Sequence, residues 1–301
     1  FQAKLGSYYD KTLRVVELVK QLGGSERAAL LCKCDLTTDM VKEFTDLQGI
    51  VGGLYARAQG EPEDVARAIY DHYKPLSMED EIPSTHAGRI LSLADKWDTL
   101  TECLKVGMTP TGSRDPFGLR RAAQGVVRII VEGKIKNAPP LEGEFLRDRV
   151  EYYFRDVRGF AYDEVRACMA AGWANLIDLE ARLKRVKEVR ATPDFEPIAA
   201  SFKRIKNILK QAQFADSTFR AELLEPGPEM ELYATVLGTQ GQPLEARIGP
   251  LRPKVDLFFD KVLVNADDPS IRRNRLALLH NLLQEFSDVA DFSEIVTERQ
   301  S

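Results

Sequence analysis

A chain of 301 residues, 44% hydrophobic and with a formal net charge of −4, is long enough for two domains that each bury a core. No apolar run approaches the roughly 20 residues that a membrane-spanning helix needs, which argues against a spanning segment and for a soluble protein. No basic and apolar leader is visible, and Phe1 in place of an initiator methionine leads us to expect a fragment. The first helix is framed by Ser7 and Asp10, spaced as in a capping box, and by Gly23-Gly24, with Leu13, Val16, Val19 and Leu22 at helical spacing between them. A second runs from Ser25 through Leu31, and a third carries Leu47, Ile50, Val51 and Leu54, where Gly49, Gly52 and Gly53 point to close backbone contact. Pro62, with acidic residues around it, opens a helix through Val65, Ile69 and Tyr73 that must end before Pro75. Ile90, Leu93, Trp97, Leu100 and Leu104 mark another amphipathic helix.

Beyond the glycine- and proline-rich turn at 110–118, helices are predicted over Phe117 to Ile130, Phe145 to Val157, Asp163 to Met169 and Leu176 to Val189. Thr192-Pro193-Asp194 reads as a fresh start leading into Phe195, Ile198, Phe202, Ile205 and Leu209. Pro226-Gly227-Pro228 breaks the chain, and the last helices are placed from Pro253 to Val264 and, after Asp268-Pro269, from Ser270 to Val289. Nothing in residues 1–110 alternates with period two long enough to make a strand, so an all-α fold is expected. The four cysteines, at 32, 34, 103 and 168, form no CxxC pair, and they read as reduced, small buried residues.

Net charge conceals a gradient. Residues 111–210 hold 20 Lys and Arg against 14 Asp and Glu, a balance of +6, so the remaining residues sum to −10. The middle third is therefore the candidate phosphate-facing surface. The simpler reading is a set of well-solvated helices of mixed charge.

The stretch Pro110-Thr111-Gly112-Ser113-Arg114-Asp115-Pro116-Phe117-Gly118-Leu119-Arg120-Arg121-Ala122-Ala123 is the most informative part of the chain. Together with Lys33-Cys34-Asp35-Leu36, the block Glu43 to Gly52 and Ala94-Asp95-Lys96-Trp97-Asp98-Thr99-Leu100, it resembles the β subunit of the tetrameric, bacterial type of glycyl-tRNA synthetase. Phe258-Phe259-Asp260-Lys261-Val262-Leu263-Val264 and Arg272-Arg273-Asn274-Arg275-Leu276-Ala277-Leu278-Leu279 are similar to the C-terminal anticodon-binding module of that subunit. The resemblance implies a degenerate HD-type helical domain over 1–110, a basic helical body over 111–190 and a helical anticodon-binding bundle over 191–301. It further implies tRNA(Gly) and the synthetase α subunit as partners, with neither DNA nor membrane, in a bacterial or organellar cytoplasmic setting. In this family glycine activation, with its ATP and Mg²⁺, belongs to the α subunit, so this portion is expected to carry no catalytic residue and no cofactor.

Members of the HD fold usually hydrolyse phosphoesters with metals held by His, a His-Asp pair and a distant Asp, because imidazole and carboxylate together hold the metal that activates water. Here Lys11 stands where the first His is expected and Cys34 replaces the His of the pair, while Asp35 and Asp95 remain. No metal is therefore expected, and Asp35 and Asp95 are read as pairing with neighbours such as Lys33 and Lys96. An HD-type phosphohydrolase and a non-catalytic helical scaffold stay open as alternatives. Three basic sets are candidates for contact with tRNA. Arg120, Arg121 and Arg128 follow the turn, with Arg121 and Arg128 on one helical face. Lys184, Lys187, Lys203, Lys206 and Lys210 lie beside apolar positions, and Arg272, Arg273, Asn274 and Arg275 form the third set. Asn274 is the residue there best equipped by type for a bidentate base contact. No Walker A loop, GxGxxG or GxSxG is present.

Overall fold

The computed structural model describes residues 3–112 and 114–297; Phe1 and Ser113 lie outside them. The described residues form fourteen α-helices, several short 3₁₀ turns and a π turn at Tyr153–Val157, joined by loops, and the only ladder contact among them is the tight pair Thr111 and Arg114. No described helix is long and apolar enough to cross a membrane. The chain divides into two compact units, Phe1–Tyr153 with Ala174–Ile177, and Phe154–Trp173 with Asp178–Ser301.

In the first unit, α1 (Tyr8–Gln21) starts at the predicted capping box: Ser7 Oγ accepts from Asp10 N at 3.2 Å, and Asp10 Oδ2 accepts from Ser7 N at 2.7 Å. Its buried face differs from the predicted stripe. Lys11, Thr12, Val15 and Val19 point inward, Val16 is half-buried and Leu13 is exposed. The reason is that Lys11 and Thr12 find buried polar partners, which turns the helix by about one residue from the purely apolar choice. Short helices α2 (Glu26–Leu31) and α3 (Asp39–Glu43) lead into α4 (Ile50–Ala58) and α5 (Glu63–Asp71). The expected close contact is there: a Cβ on Gly53 would lie 2.8 Å from the Ala66 carbonyl and 2.6 Å from Tyr70 Cβ, so α4 and α5 meet backbone to backbone.

Helix α6 (His86–Lys105) runs through the middle of this unit, burying Ile90, Leu91, Leu93, Ala94 and Leu100 together with Ser92, Asp95 and Asp98. Helix α7 (Leu119–Gly133) begins at Gly118 in the left-handed conformation, with the Asp115 carboxylate accepting from Leu119 N at 2.7 Å and Arg120 N at 2.9 Å. It packs on α6 through Gly125, where a Cβ would come within 2.8 Å of Lys96 Cε. Helix α8 (Glu144–Tyr152) closes the unit. This packing groups α7 with the preceding helices, whereas the sequence reading grouped 111–190 as one body.

The second unit holds α9 (Tyr162–Ala170), most of α10 (Leu176–Arg190), α11 (Phe195–Gln211), α12 (Pro228–Thr239), α13 (Leu244–Lys261) and α14 (Pro269–Gln284). Phe195, Phe202, Phe286 and Phe292 meet edge-on or tilted in its core. Three expectations are corrected. Pro228 does not merely break the chain but takes the first turn of α12, with Glu229 and Glu231 beside it. Helix α13 begins at Leu244, nine residues before Pro253, and carries both Pro250 and Pro253 inside it. Each proline removes one helical donor, yet Leu244, Ile248, Leu251, Val255 and Phe258 are all buried, and that apolar face outweighs the lost bonds. Thr192 finishes the preceding helix by donating to the Val189 carbonyl at 2.7 Å, and Asp194 is the residue before α11.

Candidate functional site

Two helices of the first unit, α1 and α6, and the turn after α2 bring five charged side chains to one place. Lys11 Nζ from α1 donates to the Asp95 carbonyl at 3.0 Å, to Asp98 Oδ2 at 3.2 Å and to Thr99 Oγ1 at 2.7 Å. Lys33, in the turn after α2, reaches Asp95 Oδ2 at 2.9 Å and His72 Nε2 at 3.0 Å, and lies 4.0 Å from the centre of the Tyr73 ring. Arg14 forks onto Asp98, at 2.6 Å to Oδ1 and 3.1 Å to Oδ2. His72 Nδ1 donates to the Ile69 carbonyl at 2.6 Å, which leaves Nε2 as the acceptor for Lys33.

The cluster is electrostatically self-consistent. Burial alone would raise the Asp95 carboxyl, but Lys11 and Lys33 outweigh it and hold the group well below the ordinary carboxylate range. Burial likewise opposes the Lys33 ammonium, and Asp95 more than offsets this, so Lys33 stays protonated above the usual lysine range. Burial and then the charge on Lys33 push His72 down to about 3, so the imidazole is neutral. A cavity of about 580 Å³ opens beside the cluster, with Lys11, Lys33 and Asp95 in its wall and Tyr8 and Phe117 also lining it.

The residues present do not fit a metal-dependent hydrolase. Asp95 is held by two ammonium groups, and no three His, Cys, Asp or Glu side chains converge among the described residues. Cys34 is exposed and faces the Leu30 carbonyl, which corrects the expectation that all four cysteines are buried. Asp35 is buried and accepts from Gly49 N at 2.6 Å, apart from the Lys33 pair. Lys96 does not pair with either aspartate through a salt bridge; its Nζ donates to the Tyr73 and Lys74 carbonyls at 2.9 Å each and to Ser92 Oγ at 2.8 Å. Lys33 was thus foreseen as a partner, while Arg14, His72 and Asp98 were missed as members of the cluster. Arg14 and Asp98 had a signal, since each lies three residues from a residue already singled out, on the same helical face.

The basic candidates divide into exposed and buried groups. In the first unit, Arg121 is exposed, and Arg120 donates to the Gly112 carbonyl at 2.6 Å. Arg128 is 8% exposed; it bonds Glu132 at 2.9 Å and the Ser77 and Met78 carbonyls at 3.1 and 3.0 Å, so it ties a loop down and is not turned to solvent. In the second unit, Lys203 and Lys210 on α11 and Arg272 on α14 are exposed and form no salt bridge with a described residue. Lys206 pairs with Asp291 at 2.6 Å, Lys184 with Glu180 at 3.2 Å, and Arg273 with Asp216. Lys187 sits 5.3 Å from the centre of the Phe160 ring.

Asn274 and Arg275 are corrected. Asn274 is 3% exposed and spends its amide on the Arg220 backbone, with Oδ1 accepting from N and Nδ2 donating to O, each at 2.9 Å. Arg275 is 6% exposed and binds Glu229 at 2.6 Å, Glu225 at 2.9 Å and the Leu263 carbonyl at 2.9 Å. Both hold loops to α14, and neither faces outward.

Comparison with known proteins is consistent along the chain. The family model described as glycyl-tRNA synthetase beta subunit matches residues 1–170. The glycine–tRNA ligase beta subunit of Acidobacterium capsulatum is 45% identical over 98% of this chain and 49% of its own length. The corresponding proteins of Pasteurella multocida and Sulfurihydrogenibium sp. are 40% and 36% identical over 97% and 98% of the chain, and 48% and 47% of their own lengths. The chain spans about half the length of these curated relatives.

Proposed function

Because the chain belongs to the glycyl-tRNA synthetase beta subunit family, we propose that it is a tRNA-binding portion of such a subunit, positioning tRNA(Gly) for ATP-dependent aminoacylation by an α subunit. The observation that carries this reading is the set of exposed, unbridged cations on α11 and α14: Lys203, Lys210 and Arg272. The opposite faces of the same helices are packed, with Ile198, Phe202 and Ile205 on α11 and Leu276, Leu279 and Leu282 on α14. Rigid helices thus present charge to an RNA backbone, and binding energy gained far from the reacting atoms is available to hold the acceptor end in place. This role fits the bacterial cytoplasm or its organellar counterpart.

Counterion release supplies the test. Arg272→Ala, Lys203→Ala and Lys210→Ala should each weaken binding to all tRNAs and reduce the slope of log K against log salt by about 0.7 to 0.9. Arg273→Ala should have a smaller effect, since Asp216 already takes up that guanidinium. Filter binding across a salt series measures this, and wild-type slopes in all four variants would remove these helices from the interface.

A second expectation concerns chemistry. The chain by itself should show no glycine-dependent ATP–pyrophosphate exchange, since the family resemblance assigns glycine activation to the α subunit. Exchange by the purified chain above a no-glycine control would contradict the assignment of activation to another subunit.

A further inference from the structure

We propose, on the reading of α11 as an RNA-facing helix, that Arg204 held against the Phe259 ring is a platform on which one unpaired base of the RNA stacks, with Asn207 beside it to read the edge of that base. Arg204 and Phe259 come from different helices of the second unit, α11 and α13, which pack on each other. The guanidinium carbon lies 4.0 Å from the centre of the Phe259 ring, well within reach of a cation held over a ring face. Phe259 is half-buried and so fixed in place, whereas Arg204 is exposed. The Arg204 side chain forms no salt bridge and no hydrogen bond with a described residue. Asp256, three residues before Phe259 on α13, is drawn instead to Arg252, 3.7 Å away. One face of the Arg204 guanidinium is thus set by the ring, and the other meets solvent.

The ligand class follows from shape and from what flanks the platform. A planar cation backed by an aromatic ring is a flat surface, and planar bases stack on guanidinium planes of this kind. Asn207 stands three residues after Arg204 and is therefore its neighbour on the helix surface. It is exposed, and its carboxamide is bonded to no described residue, which leaves a paired donor and acceptor for the edge of a base. Lys203 and Lys210 precede and follow, about 10 Å apart along the helix axis, so a strand laid along α11 meets a cation on each side of the platform. Two flanking cations favour a base within a strand over a lone nucleotide. A base inside a duplex has both faces covered by its neighbours, so the base that stacks here is an unpaired one.

Filter binding of the 301-residue chain to tRNA(Gly) transcripts, intact or carrying one abasic nucleotide at each unpaired loop position in turn, tests this. Arg204→Lys keeps the charge and removes the plane, at an exposed position outside the core. At one abasic position the wild-type chain should lose roughly 5- to 100-fold in affinity, and Arg204→Lys should lose about as much on intact RNA. The two changes together should weaken binding no more than either alone, the mark of a direct contact. The slope of log K against log salt should be unchanged in Arg204→Lys, because the number of cations is the same. Phe259→Leu, which keeps an apolar side chain on α13, should weaken binding roughly 2- to 5-fold with the same slope. Asn207→Ala should narrow the preference among bases at that position roughly 5- to 100-fold. No binding of tRNA overturns the platform together with the RNA-facing reading of α11. Binding with the expected salt slopes, but with abasic losses equal in wild type and Arg204→Lys at every loop position, overturns the platform alone.

Discussion

Arg275→Ala is expected to unfold the second unit well before any effect on RNA binding can be isolated. The guanidinium lies between Glu225, Glu229 and the Leu263 carbonyl, and Glu229 is only 2% exposed. Removing the cation leaves a buried carboxylate with its desolvation cost, no counter-charge and only the Glu225 N–H as a partner, a loss of about 3–5 kcal/mol when one member of a buried pair is deleted. Asn274→Ala should cost less, about 1–3 kcal/mol, because it strands a backbone N–H and C=O of Arg220 and no charge. Arg272→Ala, one turn away and exposed, should stay within about 0.5 kcal/mol of wild type. Urea denaturation of the three variants gives the order directly. A wild-type midpoint for Arg275→Ala would show that the buried pair is not what holds the start of α12 to α14.

The first unit should be acid-sensitive in a particular window. His72 is neutral in the fold down to about 3 but takes a proton near 6.5 when unfolded, so below about pH 6.5 the unfolded chain binds more protons than the native one. Stability is therefore lost as pH falls from about 6.5 to about 3. Asp95 adds to this in stronger acid: its folded carboxyl is depressed, so its contribution is present above the unfolded value near 3.9 and declines below it. Asp95→Ala removes that contribution at every pH and leaves Lys33 and Lys11 short of a buried counter-charge, with an expected loss of about 3–5 kcal/mol at neutral pH. Denaturation midpoints should fall steadily as the pH drops below 6.5. His72→Gln should flatten that fall, and an unchanged slope in this variant would assign the sensitivity to another group.

Local chemistry determined a large part of this molecule. The capping box at Ser7, the stop at Gly23 and Gly24 and the start of α14 at Asp268-Pro269 each depend on residues a few positions apart, and each is legible in the chain, as are the glycines that let α4 approach its neighbour. The same holds for the all-helical class and for the family, because contiguous blocks such as the one from Pro110 to Ala123 are carried by order alone. Where proline was read by its local rule, burial overrode it: the apolar face of α13 carries the helix through Pro250 and Pro253.

The fate of each charged side chain was decided only by tertiary structure. Arg272 and Arg275 are three residues apart on one helix, yet the first faces solvent and the second reaches Glu229, 46 residues earlier in the chain. Lys11 and Asp98 lie 87 residues apart and meet inside the fold. An arginine or lysine is compatible with a solvated surface, a phosphate or a buried carboxylate. Periodicity locates the helical face on which such a residue stands, but the choice among these partners belongs to whichever distant element packs against that face.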